Sequence, residues 1–550
     1  MNSMESAGGT NSHPLLSGAL QDEYRRLGYW EEMTLAMVVE SWAERDPQRI
    51  AVTGETQLTY GELWEQARRV AGSLREGGLQ DGEVILAVMA NCWQGVVLEV
   101  AASVVGACYC PRSAKISPTS AWNLFEQLDV RGVVLSAELL ASGEWRAMLS
   151  KMASHLTDRP IMLQGDAASL DFPYPRLESA ALTGTVTTRV DFARCRPCLV
   201  LSTGGSTGQP KSILHCSESL VYAVRRFGED SGYSERDVHV SFLPYGHAAG
   251  SLFEIYMPLL FGASILPINR WHAQTVAELI EKFGGTYFIT MGTHIFDLLA
   301  MDPAYRRCLS SLRLLITGAG PDMLFLDGER ELGVKMVRDY GFSECPGHAL
   351  GRPGDPPEAR LCQDGVPFTG MTTRILDTVA GGEAALGKAG EYQCLGPNLF
   401  MGYAGVAELT ANAMTEDGFY KSGDLMARTA DGYITWKGRT RDIIRRGGLQ
   451  IDAIELEGML DRHPKISTVV VVAEPHPRLG ERAVIVAVAQ SDVDAPVLEE
   501  LCEYLLKQGV EKQSLPERLV LVDEIPKTEL GKFHRIEMQR RLAEQRANAG

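Results

Sequence analysis

The sequence predicts an α/β protein, with a large N-terminal domain built on two doubly wound sheets and a small C-terminal α+β domain. Three observations support this prediction. Helical and strand-like patterns alternate along the chain, which is typical of mostly parallel sheets with crossover helices. The chain has 550 residues, more than a single core usually holds. Its 45% hydrophobic and 22% charged residues are ordinary globular values and exclude a mainly disordered or fibrous chain.

The first clear helix is predicted just after residue 59. Thr59-Tyr-Gly-Glu62 has the spacing of a capping box, and Gly77 supplies a stop signal. The apolar residues between them share one helical face, at Leu63, Ala67, Val70 and Leu74. Short strands are then predicted between helical patterns, over 84–89, 133–135, 199–201, 265–266, 287–290 and 314–317.

The pattern changes in the last third of the chain. Glycine, proline and short alternating segments predict a small β-rich subdomain over 349–396. A charged stretch over 437–446 precedes a compact unit, in which we predict helices over 454–460 and 497–506 and strands over 469–473 and 483–489. We therefore predict a disordered tail over 1–18, an N-terminal domain over 19–440 and a C-terminal domain over 441–550.

Charge and cysteine content limit the class of function. The formal net charge of -17 argues against nucleic acid as a partner. The chain has no apolar run of the roughly 18 residues that a membrane span needs. Eleven cysteines follow no disulfide framework, which predicts a reduced, cytoplasmic protein. Cys195-Arg-Pro-Cys198 is a lone CxxC without the second ligand pair that structural zinc usually needs.

A glycine- and hydroxyl-rich loop follows the strand predicted over 199–201. It runs from Thr203 to Lys211, and its small residues are Gly204, Gly205, Ser206, Thr207 and Gly208. Glycines allow tight turns with inward-facing amides, and the hydroxyls and Lys211 add donors and charge, so the loop suits a phosphate. Pro210 stands where a Walker A loop has glycine, which excludes that motif. Taken alone, such a stretch is more often a flexible surface loop.

Six motifs follow one another along the chain, at 203–212, 318–320, 339–344, 418–425, 432–439 and 525–535. Together they resemble those of the adenylate-forming enzymes, which include acyl-CoA synthetases, aryl-acid ligases, peptide-synthetase adenylation domains and luciferases. The loop resembles their phosphate-binding motif, with Gly204 and Ser212 as departures. The resemblance covers nearly the whole chain. It implies that a carboxylic acid reacts with ATP, assisted by Mg²⁺, to give an acyl-adenylate and pyrophosphate. The acyl group then passes to a thiol, usually that of coenzyme A, after the C-terminal domain turns about a hinge.

The resemblance also assigns roles to individual residues. Lys211 and Lys532 supply positive charge for adenylation, and Glu344 is the Mg²⁺ ligand. The adenine side is assigned to Gly318, Ala319, Gly320, Asp339, Tyr340, Gly341, Phe342 and Ser343. The ribose, hinge and thiol-tunnel positions are assigned to Asp424, Arg439, Arg441, Gly447 and Gly448. Arg441 stands where the family usually has Asp or Lys.

The segment 241–250 corresponds to the entrance of the family's acyl pocket, and His247 matches its gate position. No aspartate lies between Phe242 and Gly250 to pair an α-ammonium, which disfavours an amino acid. Ala248 replaces the asparagine that ortho-hydroxybenzoate ligases carry. We therefore predict a hydrophobic acid, whether fatty, alicyclic or aryl. The small residues Ala248, Ala249, Gly250 and Gly292 either leave room for bulk or pack against backbone.

Three functions remain open from the sequence. An acyl-CoA synthetase is favoured. The second is a ligase that loads a carrier protein, or an amide-forming relative. The third is a non-catalytic nucleotide-binding regulator, against which the joint presence of Lys211, Glu344, Asp424, Arg439 and Lys532 argues.

Overall fold

The computed structural model describes residues 12–165, 173–183, 192–203, 211–318, 320–377, 381–440, 442–446, 449–491, 493–526, 533 and 535–549. These residues form two compact units. The first takes in the described chain up to Thr203, Lys211–Thr372 and Cys394–Tyr420. The second takes in Thr373–Gln393 and the described chain from Lys421 onward.

The strands of the described chain are short, as is usual for sheets with crossover helices. They are β1 Ile50–Val52, β2 Leu58–Thr59, β3 Val84–Met89, β4 Cys108–Ser113, β5 Val130–Ser136, β6 Ile161–Gln164, β7 Pro197–Thr203, β8 Lys211–Cys216, β9 Val238–Ser241, β10 Ser264–Pro267, β11 Tyr287–Thr290, β12 Leu314–Thr317, β13 Met336–Phe342, β14 Cys345–Leu350, β15 Val366–Pro367, β16 Thr372–Leu376, β17 Gly390–Leu395, β18 Gly402–Tyr403, β19 Tyr420–Arg428, β20 Ile434–Arg439, β21 Ile443–Arg446, β22 Leu449–Asp452, β23 Ile466–His476, β24 Gly480–Ala489 and β25 Arg518–Leu521.

The helices separate these strands for most of the chain. They are α1 Gly18–Arg26, α2 Leu35–Arg45, α3 Tyr60–Glu76, α4 Trp93–Val105, α5 Pro118–Gln127, α6 Gly143–His155, α7 Leu177–Thr183, α8 Ser217–Ser231, α9 Ala248–Ser251, α10 Met257–Phe261, α11 Ala273–Phe283, α12 Gly292–Ala300, α13 Asp322–Leu332, α14 Pro357–Cys362, α15 Ala407–Ala413, α16 Ala453–Leu460, α17 Leu498–Lys507 and α18 Arg535–Ala549. None of the described helices is long and apolar enough to cross a membrane.

Two mostly parallel sheets form the first unit, which confirms the predicted fold class. The nine-stranded sheet has the order β15-β14-β13-β12-β11-β9-β10-β1-β2, and its strands from β13 to β1 are parallel. The seven-stranded sheet has the order β18-β8-β7-β4-β3-β5-β6, and its strands from β7 to β6 are parallel. Parallel sheets of this kind place ligand-binding residues at the carboxyl ends of their strands.

Helix α3 shows how directly the sequence specifies local structure. The Thr59 hydroxyl accepts a hydrogen bond from the Glu62 amide, and the Glu62 carboxylate accepts one from the Thr59 amide. The predicted capping box is therefore present. The four apolar residues of the predicted face are all fully buried. Burial of each large apolar side chain contributes about 1.5–3 kcal/mol, so tertiary packing rather than helix propensity holds this helix in place.

The second unit contains two sheets. One has the order β16-β17-β19-β20, and the other has the order β22-β21-β24-β23, with β25 beside β24. Along β23, Val469 and Val471 join one apolar cluster, while Val470 and Val472 join another. This period of two means that both faces of the strand are buried. The result is the small C-terminal α+β arrangement that the sequence predicts.

The predicted disordered tail over 1–18 is too long. His13 and Leu16 are buried, and His13 Nε2 lies 3.1 Å from the Leu399 carbonyl oxygen. Ser17 caps the first helix by accepting a hydrogen bond from the Leu20 amide. Two buried side chains and a helix cap thus order residues whose polar composition alone suggested a frayed end.

Candidate active site

The ends of the predicted phosphate loop lie side by side in the seven-stranded sheet. Thr203 is the last residue of β7 and Lys211 the first of β8, and the two are cross-strand partners in an antiparallel pair. The loop therefore connects a hairpin at the carboxyl end of a central parallel strand, where phosphate ligands are expected. Gly204, Gly205, Ser206, Thr207 and Gly208 lie outside the described residues, so their phosphate contacts stay predictions.

Glu344 sits in the tight turn between β13 and β14. Its side chain is largely buried, with the residue 7% exposed, and its Oε1 accepts a 2.6 Å hydrogen bond from the Tyr403 hydroxyl. Such a bond to an ionised acceptor is stronger than one between neutral groups. Only Oε1 is engaged among the described residues, which leaves Oε2 as the oxygen for a cation.

Tyr403 also connects Glu344 to Lys211. It lies on β18, which pairs with β8 so that Tyr403 is opposite Ile213. Lys211 is two residues earlier on β8 and shares that face. Its Nζ lies 4.7 Å from the centroid of the Tyr403 ring, a cation–π distance. One buried tyrosine thus contacts both the predicted phosphate lysine and the predicted Mg²⁺ ligand.

The two buried tyrosines that interact with Glu344, Tyr403 and Tyr420, stay protonated. Burial raises the pKa of Tyr403, and the negative charge of Glu344 raises it further. The pKa of Tyr420 is raised for the same two reasons, burial first. Both phenols therefore stay donors at neutral pH. Burial also lowers the pKa of His215 to about 4, so this side chain is neutral where its Nε2 meets the Ser343 carbonyl oxygen at 2.8 Å.

A hard oxygen donor of this kind fits Mg²⁺, which binds proteins through one or two carboxylates and completes its shell with phosphates and water. Glu344 would hold the ion by Oε2 while Tyr403 fixes the orientation of the carboxylate. When bound, the ion neutralises charge on the phosphates of the nucleotide.

The predicted adenine side is built where β12 and β13 end next to each other. These strands are parallel, with Thr317 opposite Arg338. A Cβ on Gly318 would lie 2.8 Å from the Asp339 carbonyl oxygen, so only glycine allows this approach. Tyr340 is half-buried and lies in the same strand. The structure thus brings Gly318, Asp339 and Tyr340 together, with Gly341, Phe342, Ser343 and Gly320 in the same two segments.

In the second unit the predicted ribose residues form a pair. Asp424 on β19 is the cross-strand partner of Arg439 on β20. Arg439 Nε lies 3.0 Å from Asp424 Oδ1, and Trp436 Nε1 donates to the same oxygen at 3.2 Å. The aspartate is 2% exposed. An oriented carboxylate of this type can accept hydrogen bonds from the two adjacent hydroxyls of a ribose.

The backbone of the segment 241–250 is held by hydrogen bonds to the side chain of Asn91. Asn91 donates to the Leu243 carbonyl oxygen at 2.9 Å and accepts from the Tyr245 amide at 3.1 Å. A Cβ on Gly250 would lie 1.9 Å from the Pro244 carbonyl oxygen, so this glycine serves backbone packing rather than pocket volume. His247 precedes α9 and is half-buried.

Several predicted residues cannot be placed against this geometry. Ala319, Arg441, Gly447, Gly448 and Lys532 lie outside the described residues, and their roles stay predictions. Tyr403 and Trp436 are the residues that sequence reasoning missed. A lone tyrosine or tryptophan in a sequence usually indicates core packing, and only strand pairing shows which carboxylate each one meets.

Two family models match the chain. The model of the AMP-binding enzyme matches residues 39–404, and that of the AMP-binding enzyme C-terminal domain matches residues 455–532. The first alone covers more than half of the sequence. The chain therefore belongs to the AMP-binding enzyme family and is an adenylate-forming ligase.

Named relatives of the chain fall in more than one branch of that family. Pyochelin synthase PchD from Pseudomonas aeruginosa (strain UCBPP-PA14) is 29% identical over 94% of this chain and 94% of its own length. The medium-chain fatty-acid–CoA ligase from Escherichia coli (strain K12) is 28% identical over 95% of this chain and 93% of its own length. The crystal structure of ATP-bound MatB from Rhodopseudomonas palustris shares the fold, with a TM-score of 0.82 at 22% identity, covering 92% of this chain and 98% of its own.

Proposed function

We propose that the protein is an AMP-forming acyl-CoA synthetase for a hydrophobic carboxylic acid, whether fatty, alicyclic or aryl. The observation that carries the proposal is the contact of Tyr403 with both Lys211 and Glu344. It supports the proposal because a cation and a carboxylate suited to Mg²⁺ both contact one tyrosine, and the cation, Lys211, ends the predicted phosphate loop. That combination is what the reaction of an acid with a nucleoside triphosphate requires.

In the proposed first step, a carboxylate oxygen of the acid attacks the α-phosphorus of ATP. The bond from that phosphorus to the bridging oxygen breaks, and pyrophosphate leaves. Two anions must approach each other, so positive charge and fixed donors are needed before reaction begins. Lys211 and the loop that starts at Thr203 would supply them on the phosphate side. Lys532 would bridge the acid and the α-phosphate.

In the second step, the sulfur of coenzyme A attacks the acyl carbon. The bond to the AMP oxygen breaks, AMP leaves and the thiol proton is released. We propose that the C-terminal domain, residues 441–550, turns about Arg441 between the steps, so that Gly447 and Gly448 replace Lys532 at the site. The family match over residues 455–532 supports a separate C-terminal domain.

The proposed acid class rests on the segment 241–250. Two of its polar residues are hydrogen-bonded within the protein: Ser241 donates to the Tyr245 hydroxyl, and the Tyr245 carbonyl oxygen accepts from the hydroxyl of the following Ser251. Phe242 adds an aromatic ring next to Trp271 and His294, with centroids 5.0 and 4.8 Å away. A lining of this kind favours apolar acids, which the medium-chain fatty-acid relative supports.

One of the relatives favours a different acceptor for the acyl group. It is named salicyl-AMP ligase / salicyl-S-ArCP synthetase, from Mycobacterium tuberculosis (strain ATCC 25618 / H37Rv), and is 29% identical over 94% of this chain and 92% of its own length. Loading of the acyl group onto a carrier protein is therefore the alternative to transfer to coenzyme A. The first half-reaction is the same in both cases.

The test is pyrophosphate release from ATP and Mg²⁺ over fatty, alicyclic, aryl and amino acids, with and without coenzyme A, followed by mass analysis of the acyl product. We expect release with hydrophobic acids and an acyl-CoA thioester. An acyl-adenylate that persists in the presence of coenzyme A would point to a carrier protein or an amine. Glu344→Gln is the negative control, with an expected fall of about 10²–10³-fold.

A further inference from the structure

Two buried cysteines and a buried histidine lie together directly behind the turn that carries Glu344. They are Cys345, His348 and Cys394, and their ligating atoms all lie within 4.8 Å of one another. Cys345 Sγ and His348 Nδ1 are 3.5 Å apart. In the part of the chain that the structure describes, no other three Cys, His, Asp or Glu side chains meet in this way. The CxxC at Cys195 is not part of such a group.

The local backbone explains how these residues come together. Cys345 and His348 are three apart on β14, and a regular strand would point them to opposite faces. Gly347 between them adopts φ +56, the left-handed conformation that glycine tolerates. This irregularity turns both side chains inward, as at a β-bulge. Cys394 reaches the same point from the end of β17, where the chain has returned to the first unit.

Asn398 provides a fourth potential ligand atom, its side-chain oxygen Oδ1. Its Nδ2 donates to the carbonyl oxygens of Pro346 at 2.8 Å and Gly347 at 3.1 Å. These two bonds fix the amide so that its Oδ1 faces Cys345 Sγ, 3.1 Å away. All four side chains are fully buried, so the group is closed to solvent, like structural metal sites.

We propose that Cys345, His348, Cys394 and the Asn398 carbonyl oxygen bind a zinc ion. Tetrahedral zinc has bonds of about 2.3 Å to sulfur and 2.0–2.1 Å to nitrogen, which places ligand sulfur and nitrogen about 3.6 Å apart. The observed separation of 3.5 Å between Cys345 Sγ and His348 Nδ1 matches this edge. Thiolate and imidazole ligands disfavour Mg²⁺, which prefers oxygen.

Charge balance favours a divalent thiophilic ion such as zinc over a monovalent one. On binding, each of the two thiols loses its proton, and two protons are released to water. Two thiolates, a neutral imidazole and a neutral amide then sum with Zn²⁺ to zero net charge. A monovalent copper ion would leave one negative charge buried without a partner, which is costly.

The zinc site would support the nucleotide site without taking part in its chemistry. Cys345 directly follows Glu344, and the His348 ring lies 5.8 Å from the Tyr340 ring and 5.7 Å from that of Phe342. A bound ion would tie the β13–β14 hairpin to β17. The inference does not depend on the proposed acid or acceptor.

The direct test is the zinc content of full-length protein, produced without a histidine tag in zinc-supplemented medium and purified under reducing conditions. We expect inductively coupled plasma mass spectrometry to find about one zinc ion per chain. Replacement by Co²⁺ should give the intense sulfur-to-metal charge-transfer band of thiolate ligation. This spectrum needs no variant and keeps the test valid if substitutions impair folding.

Cys394→Ala should retain only trace zinc, lose the charge-transfer band and unfold at a lower temperature than the parent. Cys108→Ala is the matched control, since Cys108 is also a fully buried strand cysteine of the first unit, and it should keep the metal. A reduced parent protein that takes up neither Zn²⁺ nor Co²⁺ would overturn the proposal. So would equal metal content in both variants, or a Cys345–Cys394 disulfide in the protein as isolated.

Discussion

Removal of the Tyr403 hydroxyl group should show whether Tyr403 orients Glu344 or only packs against its neighbours. In Tyr403→Phe the ring, and with it the contact to Lys211, is retained. The change deletes the 2.6 Å hydrogen bond to Glu344 Oε1 and the hydrogen bond that the same hydroxyl shares with Tyr420. Because the bond to Glu344 holds its carboxylate in one orientation, the loss of that bond should free the rotamer of Glu344. A carboxylate that is no longer held in place is a weaker Mg²⁺ ligand.

The size of the effect follows from the burial of both partners. A hydrogen bond to a charged group contributes about 1.5–3 kcal/mol, and about 1.4 kcal/mol corresponds to a factor of ten. Since Tyr403 is 6% exposed and Glu344 is 7% exposed, water cannot readily replace the lost donor. We therefore expect kcat/KM for MgATP to fall roughly 10- to 150-fold.

The assay is acid-dependent pyrophosphate release as a function of MgATP and of free Mg²⁺. In the variant, the concentration of free Mg²⁺ needed for half-maximal rate should rise, an effect that a purely structural defect would not cause. Tyr60→Phe is the control, because Tyr60 is fully buried and its hydroxyl donates to the Ala263 carbonyl oxygen at 2.9 Å. If the two variants show the same kcat/KM and the same Mg²⁺ requirement, Tyr403 has no role at the metal ligand.

Four further predictions test other parts of the account. Asp424→Asn should raise KM for ATP about 10–100-fold and abolish the preference for ATP over 2′-deoxy-ATP; a preserved preference would exclude Asp424 as the ribose ligand. Lys532→Ala should reduce adenylate formation about 10²–10³-fold while thioester formation from supplied acyl-adenylate continues, so equal loss of both steps would contradict its assigned role. Arg441→Pro should slow the thioester step more than adenylation, and an unchanged thioester rate would remove Arg441 from the hinge. Finally, burial raises the pKa of Glu457 to about 7, against the opposing effect of Arg535. The folded state then holds a proton that the unfolded state releases above about pH 4.5, so this group's stabilising contribution is lost as pH rises towards 7. Chemical denaturation should show a loss of roughly 3 kcal/mol between those limits that Glu457→Gln abolishes; an identical pH slope in that variant would assign the effect elsewhere.

Much of the fold was predictable because local signals agree with the tertiary arrangement. The capping box at Thr59 and the apolar face of α3 lie close together in sequence and need no distant partner to be recognised. The strand predicted over 84–89 coincides with β3. By contrast, His13 is ordered through Leu399, a contact that no local pattern reveals.

The same distinction between local signals and distant contacts applies to the candidate site. The residues of contiguous motifs, such as Glu344 and Asp424, were predictable because a carboxylate in a glycine-rich turn offers few other roles within that set of motifs. Tyr403 was not, since its partner Glu344 is 59 positions away and meets it through the pairing of β18 with β8. The group of Cys345, His348 and Cys394 was not predictable for a similar reason, since Cys394 comes from a distant strand. In addition, the left-handed conformation of Gly347 turns Cys345 and His348 to the same side.

The most direct test of the central claim is acid-dependent exchange of labelled pyrophosphate into ATP. The exchange reports reversible adenylate formation alone and needs neither coenzyme A nor a carrier protein. We predict that label enters ATP when a hydrophobic acid and Mg²⁺ are present, and that omission of the acid stops it. Tight ATP binding by calorimetry without exchange for any acid in the panel would contradict the claim and favour a nucleotide-binding regulator.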